Sequence, residues 1–264
     1  MSTPSPFSVP LQHVTSRENS VIKDLRRLGN SSIAYRKQGQ VWLEGDHLCR
    51  AALARGLKPV VAVFSESYWP LAGEFISCAA IKNIVVPDRL LPEISTLESP
   101  APMGFLMALP PPVALKPNGA TVILDRVQDA GNVGSILRSA AAFGFSQVLA
   151  LKGTAALWSP KVLRAGMGAH FGLQLFEGLE RADLAVLTVP LLVTSSHLGQ
   201  ALHLCRLPMP CAWAMGHEGQ GVCDELVHSA ALQVRIAQPG GEESLNVAAA
   251  AAICLHASAM SRPA

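Results

Sequence analysis

Over the second half of the chain, short apolar runs recur at intervals that leave room for one helix between neighbours. Apolar runs at 121–125, 147–151, 185–189 or nearby, 212–215 and 233–236 have the length of strands. Helical spacing marks 135–143 and 161–168, and an Ala-rich helix is predicted over 244–258. Strands separated by helices join as parallel neighbours through crossovers, so the expected fold class is α/β: a mostly parallel sheet with helices on both faces.

The first hundred residues alternate in the same way but more sparsely. Val21, Leu25 and Leu28 sit among Lys and Arg at helical spacing, a second such pattern covers 46–54, and runs at 60–64 and 81–86 read as strands. This predicts a small α/β domain over 13–108, preceded by a flexible Ser/Thr/Pro-rich tail over 1–12. The segment 109–119, LPPPVALKPNG, carries four prolines and can hold neither a helix nor a central strand, so it is expected to link to a second domain at 120–264. No secretory leader is expected at the start. The apolar run 184–193 is half of the roughly 20 residues that a membrane-spanning helix requires, and a soluble chain is expected.

Six cysteines, at 49, 78, 205, 211, 223 and 254, form no C-x-x-C pair and have no His at zinc-ligand spacing. They read as reduced, packed thiols of a cytoplasmic protein without a metal. Net charge is only +2, yet between His13 and Lys58 nine Lys and Arg face four Asp and Glu. That excess suits either an ordinary solvated helix face or a phosphate-contacting surface.

Three glycine-bearing segments follow apolar runs, where open α/β sheets place their ligand crevice. In LDRVQDAGNVGSILRSAAAFG (124–144), Gly131 and Gly134 permit a tight turn, Ser135 can cap the next helix, and Arg138 is expected in its first turn. Such a helix start suits an anion, and equally a plain strand-to-helix turn. In MGHEGQG (215–221), three glycines flank one carboxylate, Glu218. In IAQPGGEESLNV (236–247), a Pro-Gly-Gly turn leads through Glu242 and Glu243 to a helix begun by Ser244 or Leu245. Neither a G-x-G-x-x-G dinucleotide fingerprint nor a G-K-[ST] phosphate loop occurs, which counts against an oxidoreductase or a nucleotide hydrolase.

The three segments in this order resemble the motifs of the SpoU (TrmH) family of SPOUT methyltransferases. The resemblance rests on the stretch around Asn132 and Arg138, the loop around Glu218 and the E-S-L-N run 243–246, with SPKVLRAGMG (159–168) similar to an intermediate segment. It implies a parallel sheet whose C-terminal chain forms a trefoil knot, a bound S-adenosylmethionine and an active site completed across a homodimer. The implied activity is methyl transfer to a ribose 2′-hydroxyl of structured RNA. By matching position, Met215, Gly216, His217, Gly219, Gly221, Ile236 and Leu245 would line the cofactor site. Arg138, Asn132, Glu218, Ser244 and Asn246 would form the catalytic cluster.

Methyl transfer to a weakly acidic hydroxyl needs alignment and help as its proton leaves. Arg138 would clamp an RNA phosphate and stabilise the developing oxyanion; whether it also takes the proton stays open at this point. The stretches VTSRENSVIKDLRRL (14–28) and YRKQGQVWLEGDHLCRAAL (35–53) resemble the substrate-binding domain of many SpoU enzymes. This makes Arg17, Lys23, Arg26, Arg27, Arg36 and Lys37 candidate phosphate contacts and favours ribosomal RNA over tRNA. Ala130, Gly166, His217 and Ala237 depart from the family's usual residues. A tRNA 2′-O-methyltransferase and an RNA-binding assembly factor without transfer activity are the competing readings.

Overall fold

The computed structural model describes residues 9–77, 79–195, 198–241 and 244–261. It divides into two compact units: one runs through Pro111 and takes in Trp158–Arg164, while the other holds Pro112–Leu157 and the chain from Ala165 onward. The division falls inside the Pro-rich segment. The short excursion of Trp158–Arg164 into the first unit has no counterpart in the expected boundaries.

In the first unit the elements are β1 (Leu11–His13), α1 (Ser20–Asn30), α2 (Ala34–Gln38), β2 (Gln40–Glu44), α3 (Asp46–Ala54), β3 (Val61–Ser65), α4 (Glu74–Ser77), β4 (Lys82–Val86), α5 (Leu91–Ile94) and β5 (Met103–Ala108). The sheet order is β1-β4-β3-β5-β2, with β1, β4 and β3 parallel and β5 antiparallel to both β3 and β2. Strand β1 corrects the expected tail, because Leu11 and Gln12 pair with Asn83 and Ile84 of β4. Helix α1 starts where the Asn19 side chain accepts a hydrogen bond from Val21 N at 2.9 Å. It buries Ile22, Leu25 and Leu28, so the apolar stripe begins at Ile22 rather than Val21.

The second unit contains β6 (Thr121–Asp125), α6 (Ala130–Ala142), β7 (Gln147–Leu151), α7 (Pro160–Gly166, shared with the first unit), β8 (Gln174–Leu179), β9 (Leu191–Thr194), β10 (Gln200–Ala201), β11 (Ala212–Gly216), α8 (Asp224–Ser229), β12 (Leu232–Arg235) and α9 (Val247–Met260). Its sheet runs β10-β12-β9-β11-β6-β7-β8, and every pairing is parallel. Strands β6, β7 and β11 are buried along their whole length, as a sheet covered on both faces requires. On β11 the period of two is explicit. Ala212 and Ala214 pack into a core with Leu226 of α8. Trp213 turns the other way and donates from Nε1 to Ser258 Oγ of α9 at 2.9 Å.

Several boundaries differ from expectation for local reasons. Helix α6 begins at Ala130, not Ser135, because Asp129 Oδ1 accepts from Asn132 N at 2.8 Å and caps it there. Gly131 and Gly134 therefore lie within the helix rather than in a turn. Arg138 consequently sits in the third turn instead of the first. The strand expected at 185–189 does not form there: 185–186 end a 3-10 turn (Arg181–Val186) started by the capping box of Glu180 and Asp183, and the strand follows as β9 (Leu191–Thr194). Helix α9 begins after Asn246, whose Oδ1 accepts from Ala248 N at 2.9 Å and Ala249 N at 3.2 Å. Ser244 and Leu245 therefore precede the helix instead of starting it. Glu242, Glu243 and Cys78 lie outside the described residues.

Gly166 shows why one family departure exists. A Cβ there would sit 2.4 Å from Cε1 of His170, a ring that is 1% exposed and held by Leu157 O at 2.8 Å. Burial pushes His170 down to about 4, against the opposing pull of that hydrogen bond, so the ring is neutral and fixed. Gly166→Ser is expected to cost about 1–3 kcal/mol through overpacking. A denaturant titration with an unchanged midpoint would contradict this.

Candidate active site

Strands β6 and β11 are adjacent and in register, with Asp125 opposite Gly216 at their C-terminal ends. The chain runs outward from this pair in both directions, since β7 and β8 lie beyond β6 while β9 and β12 lie beyond β11. This is the switch point at which open parallel sheets form a crevice. The turn into α6 and the loop after β11 meet there.

Glu218 joins the two. Its Oε1 accepts from Asp129 N and Asn132 Nδ2, each at 3.0 Å, and its Oε2 accepts from Gln128 N at 3.1 Å. Asn132 Oδ1 in turn accepts from Asn246 Nδ2 at 2.9 Å. A single chain of hydrogen bonds therefore links one side chain from each of the three glycine-bearing segments. Partial desolvation raises the Glu218 carboxyl, but the bonds from Asn132, Asp129 and Gln128 together outweigh it and hold the group at about 2. The carboxylate is ionised at any physiological pH and serves as a fixed acceptor rather than a proton shuttle.

The loop that carries Glu218 is closed on itself. His217 N donates to Gly221 O at 3.0 Å, and Gly221 N donates back to His217 O at 2.8 Å. His217 Nδ1 accepts from Gly219 N at 3.0 Å and Gln220 N at 3.2 Å. Backbone amides can only donate, so Nδ1 carries no proton in this arrangement and any proton of the neutral ring is on Nε2. Imidazole thus takes the acceptor role that a short polar side chain would fill in such a turn. Gly216 is required by close approach, because a Cβ there would meet Gly221 C at 2.1 Å.

Other predicted cofactor residues border this loop in sequence or stand on neighbouring connections. Met215 is buried in β11, Ile236 is half-buried just past β12, and Leu245 before α9 is 40% exposed. A cavity of about 560 Å³ is lined by Phe143, Leu202, Ile236, Ile253 and His256 among others; of the predicted cofactor residues it touches only Ile236.

The expected catalytic cluster is brought together only in part. Asn132, Glu218 and Asn246 are bonded to one another, while Arg138 and Ser244 are exposed and stand apart from that network among the described residues. The helix explains Arg138. Six residues at about 100° each carry it roughly 120° around α6 from Asn132 and about 9 Å along the axis.

Residues absent from the expected site also take part. Asp125, 1% exposed, accepts from Cys223 N at 2.7 Å and is paired with Arg126, and Gln128 and Asp129 supply amides to Glu218. Burial raises Asp125, but the Arg126 and Cys223 bonds overcome this and leave it below the usual carboxylate range. The only sequence signal was a carboxylate at the end of an apolar strand, which is also common in plain turns.

In the first unit, five of the six candidate phosphate contacts already have partners. Arg26 Nη2 pairs with Glu93 at 2.7 Å and its Nε donates to Glu93 O at 3.4 Å, tying α1 to α5. Lys23 pairs with Glu18 at 2.9 Å, Arg27 with Asp24 at 3.8 Å and Arg17 with Glu93 at 3.9 Å. Arg36 donates to Tyr35 Oη at 3.2 Å, and Lys37 is exposed beside it on α2. Exposed pairs of this kind are worth about 0–1 kcal/mol and exchange partners readily. Arg26, half-buried and doubly held, is the structural member of the set.

Burial raises the thiols of Cys49, Cys205, Cys223 and Cys254, that of Cys254 to about 12, which keeps these four protonated near neutrality. Among the described residues no group of His, Cys, Asp and Glu could hold a metal ion, and no helix is long and apolar enough to cross a membrane.

Residues 119–256 match the model of the SpoU rRNA Methylase family. The chain is 29% identical to an uncharacterized tRNA/rRNA methyltransferase of Synechocystis sp., covering 95% of this chain and 94% of that one. It is 37% identical over 152 residues to the mitochondrial rRNA methyltransferase 3 of Mus musculus, covering 54% of this chain but only 36% of the mouse protein. Among solved structures, a crystal structure of an RNA 2′-O ribose methyltransferase superposes with a TM-score of 0.78 at 28% identity, covering 95% of this chain and 99% of that one.

Proposed function

Because the chain belongs to the SpoU rRNA methylase family, we propose that it transfers a methyl group from S-adenosylmethionine to a ribose 2′-hydroxyl of RNA, with ribosomal RNA as substrate. The observation that carries this reading is the hydrogen-bonded line from Glu218 through Asn132 to Asn246, which unites the three motifs at the switch point of a parallel sheet.

The donor set fits the cofactor. A glycine loop offers exposed backbone at Gly219 and Gly221, Ile236 and Leu245 offer apolar surface short of full burial, and Glu218 adds an anion to the same loop. When bound, S-adenosylmethionine supplies an electrophilic methyl group. The chain's own residues do the rest. Glu218 locks the loop to the start of α6, Asn132 and Asn246 hold that junction, and Gly216 lets the loop pass close to its own strand.

Arg138 is free to meet substrate. Its guanidinium, a planar fork of N–H donors, clamps an RNA phosphate and stabilises charge developing on the 2′-oxygen. Its separation from the Asn132–Glu218–Asn246 line supports a site completed by a second copy of the chain, each copy lending Arg138 to its partner's network. The C-terminal segment from β11 to α9 is read as a trefoil knot, and the small α/β unit as the RNA grip through Arg17, Lys23, Arg27, Arg36 and Lys37. The thiols of Cys49, Cys205, Cys223 and Cys254 suit a reducing cytoplasm.

The test is transfer from labelled S-adenosylmethionine to separately purified unmodified rRNA and tRNA, read by nucleoside mass spectrometry. A 2′-O-methylated nucleoside in rRNA is expected. Product confined to tRNA would overturn the substrate and keep the chemistry. Base methylation, or no transfer to naked RNA or ribosomal particles, would overturn the reaction.

A further inference from the structure

Arg126 has φ of 60°, in the left-handed region that residues with a Cβ avoid. Several contacts hold it there. Its backbone N donates to Thr154 Oγ1 at 3.1 Å, and that hydroxyl donates to Leu124 O at 2.9 Å. Gly153 leaves room for the side-chain stem, since a Cβ on it would come within 3.1 Å of Arg126 Cγ. Backbone strain that is over-determined in this way tends to accompany a functional requirement.

The guanidinium shows what the requirement is. Nε and Nη2 donate to Asp125 Oδ1 and Oδ2 at 2.9 and 3.1 Å, and Nη1 donates to Gln220 Oε1 at 2.8 Å. Asp125 Oδ2 also accepts from Cys223 N. One buried carboxylate at the end of β6 therefore holds the far end of the loop directly and its tip through Arg126. Glu218 lies on the same loop, and its three bonds to 128–132 require the tip to stand at one angle to β6. Fork-shaped, charge-assisted pairing fixes such an angle better than a single bond can.

We propose that Arg126 is a positioning residue of the methyl-transfer site, clamping the Gln220 tip of the glycine loop to Asp125 so that Glu218 reaches Gln128, Asp129 and Asn132. The inference rests on the methyl-transfer reading for its cofactor readout, whereas its structural readout is independent of it.

Arg126→Gly relieves the left-handed backbone but leaves the buried Asp125 carboxylate without its cationic partner, so its thermal midpoint is expected to fall, whereas Gln220→Leu, which keeps that pair, should leave the midpoint unchanged. In Arg126→Gly, amide exchange over 218–223 should rise, and S-adenosylmethionine affinity by calorimetry should fall about tenfold or more. Gln220→Leu should reproduce both changes, and the double variant should be no weaker than either single one. Unchanged exchange and affinity would overturn the proposal. So would an affinity loss in Arg126→Gly that Gln220→Leu does not share, because Arg126 would then meet the ligand itself. If the unmodified chain binds no S-adenosylmethionine, the methyl-transfer reading fails, and the exchange data alone decide Arg126.

Discussion

Arg138→Ala is expected to lower methyl transfer about a hundredfold to a thousandfold, the usual loss when one preorganised donor to a developing oxyanion is removed. Affinity for S-adenosylmethionine should not change, because Arg138 is outside the Asn132–Glu218–Asn246 network and exposed on α6. Stability should stay within about 0.5 kcal/mol, as for other surface substitutions away from buried or capping features. Single-turnover kinetics and calorimetry check the two halves separately. A fall in cofactor affinity as large as the fall in turnover would place Arg138 in the cofactor site and defeat the assignment.

Mixing makes the same residue test the assembly. If each site combines Arg138 of one copy with Glu218 of the other, dimers formed from one Arg138→Ala chain and one Glu218→Gln chain contain one intact site and one doubly damaged site. They should regain activity that neither variant has alone. Activity no greater than that of the two variants separately would mean that each chain completes its own site.

Glu218→Gln is expected to be nearly as damaging by a different route. The amide is the same size, but one acceptor oxygen becomes a donor facing the N–H of Gln128 or those of Asp129 and Asn132. A donor facing a donor forfeits the bond or bonds made at that oxygen, so the loop should loosen, and cofactor affinity should fall about tenfold to a hundredfold. Amide exchange at 128–132 should rise with it. Retained affinity together with lost turnover would instead make Glu218 a participant in the chemistry.

The acid limb gives a second check with a definite sign. The Glu218 carboxyl lies at about 2, well below the ordinary value of about 4.3. A depressed carboxyl contributes stability that is fully present above its unfolded value and is lost as pH falls towards the folded one. The stability gap between the unmodified chain and Glu218→Gln should therefore be constant above about pH 5 and close between about pH 4.3 and pH 2. A gap that varies around neutrality would implicate another group.

Much of this was legible in the residues. Continuous apolar runs placed β6 and β7 and, within a residue, β11 and β12, because in a doubly covered parallel sheet burial itself selects such runs. The motif resemblance found Asn132, Glu218 and Asn246 for the same underlying reason: they are the side chains that tie the three segments together. Strands β2, β5 and β8 escaped notice. QVWLE, MGFLMA and QLFEGL carry glycines, polar residues or few β-branched positions, and their strand character comes from their neighbours in the sheet.

What the sequence determined alone was local and additive: an α/β pattern, a Pro-rich division and the identity of three polar groups. What only tertiary structure decided was relational. The insertion of β11 between β6 and β9 brings 125–132 against 216–223 across about ninety residues of chain. Asp129 capping α6 five residues early rotates Arg138 away from the network, and a strained Arg126 becomes a clamp only because Asp125, Gln220 and Thr154 converge on it. Propensity and periodicity act between residues a few positions apart, whereas a hydrogen bond's partner is chosen by the crossing of strands, which no local pattern encodes.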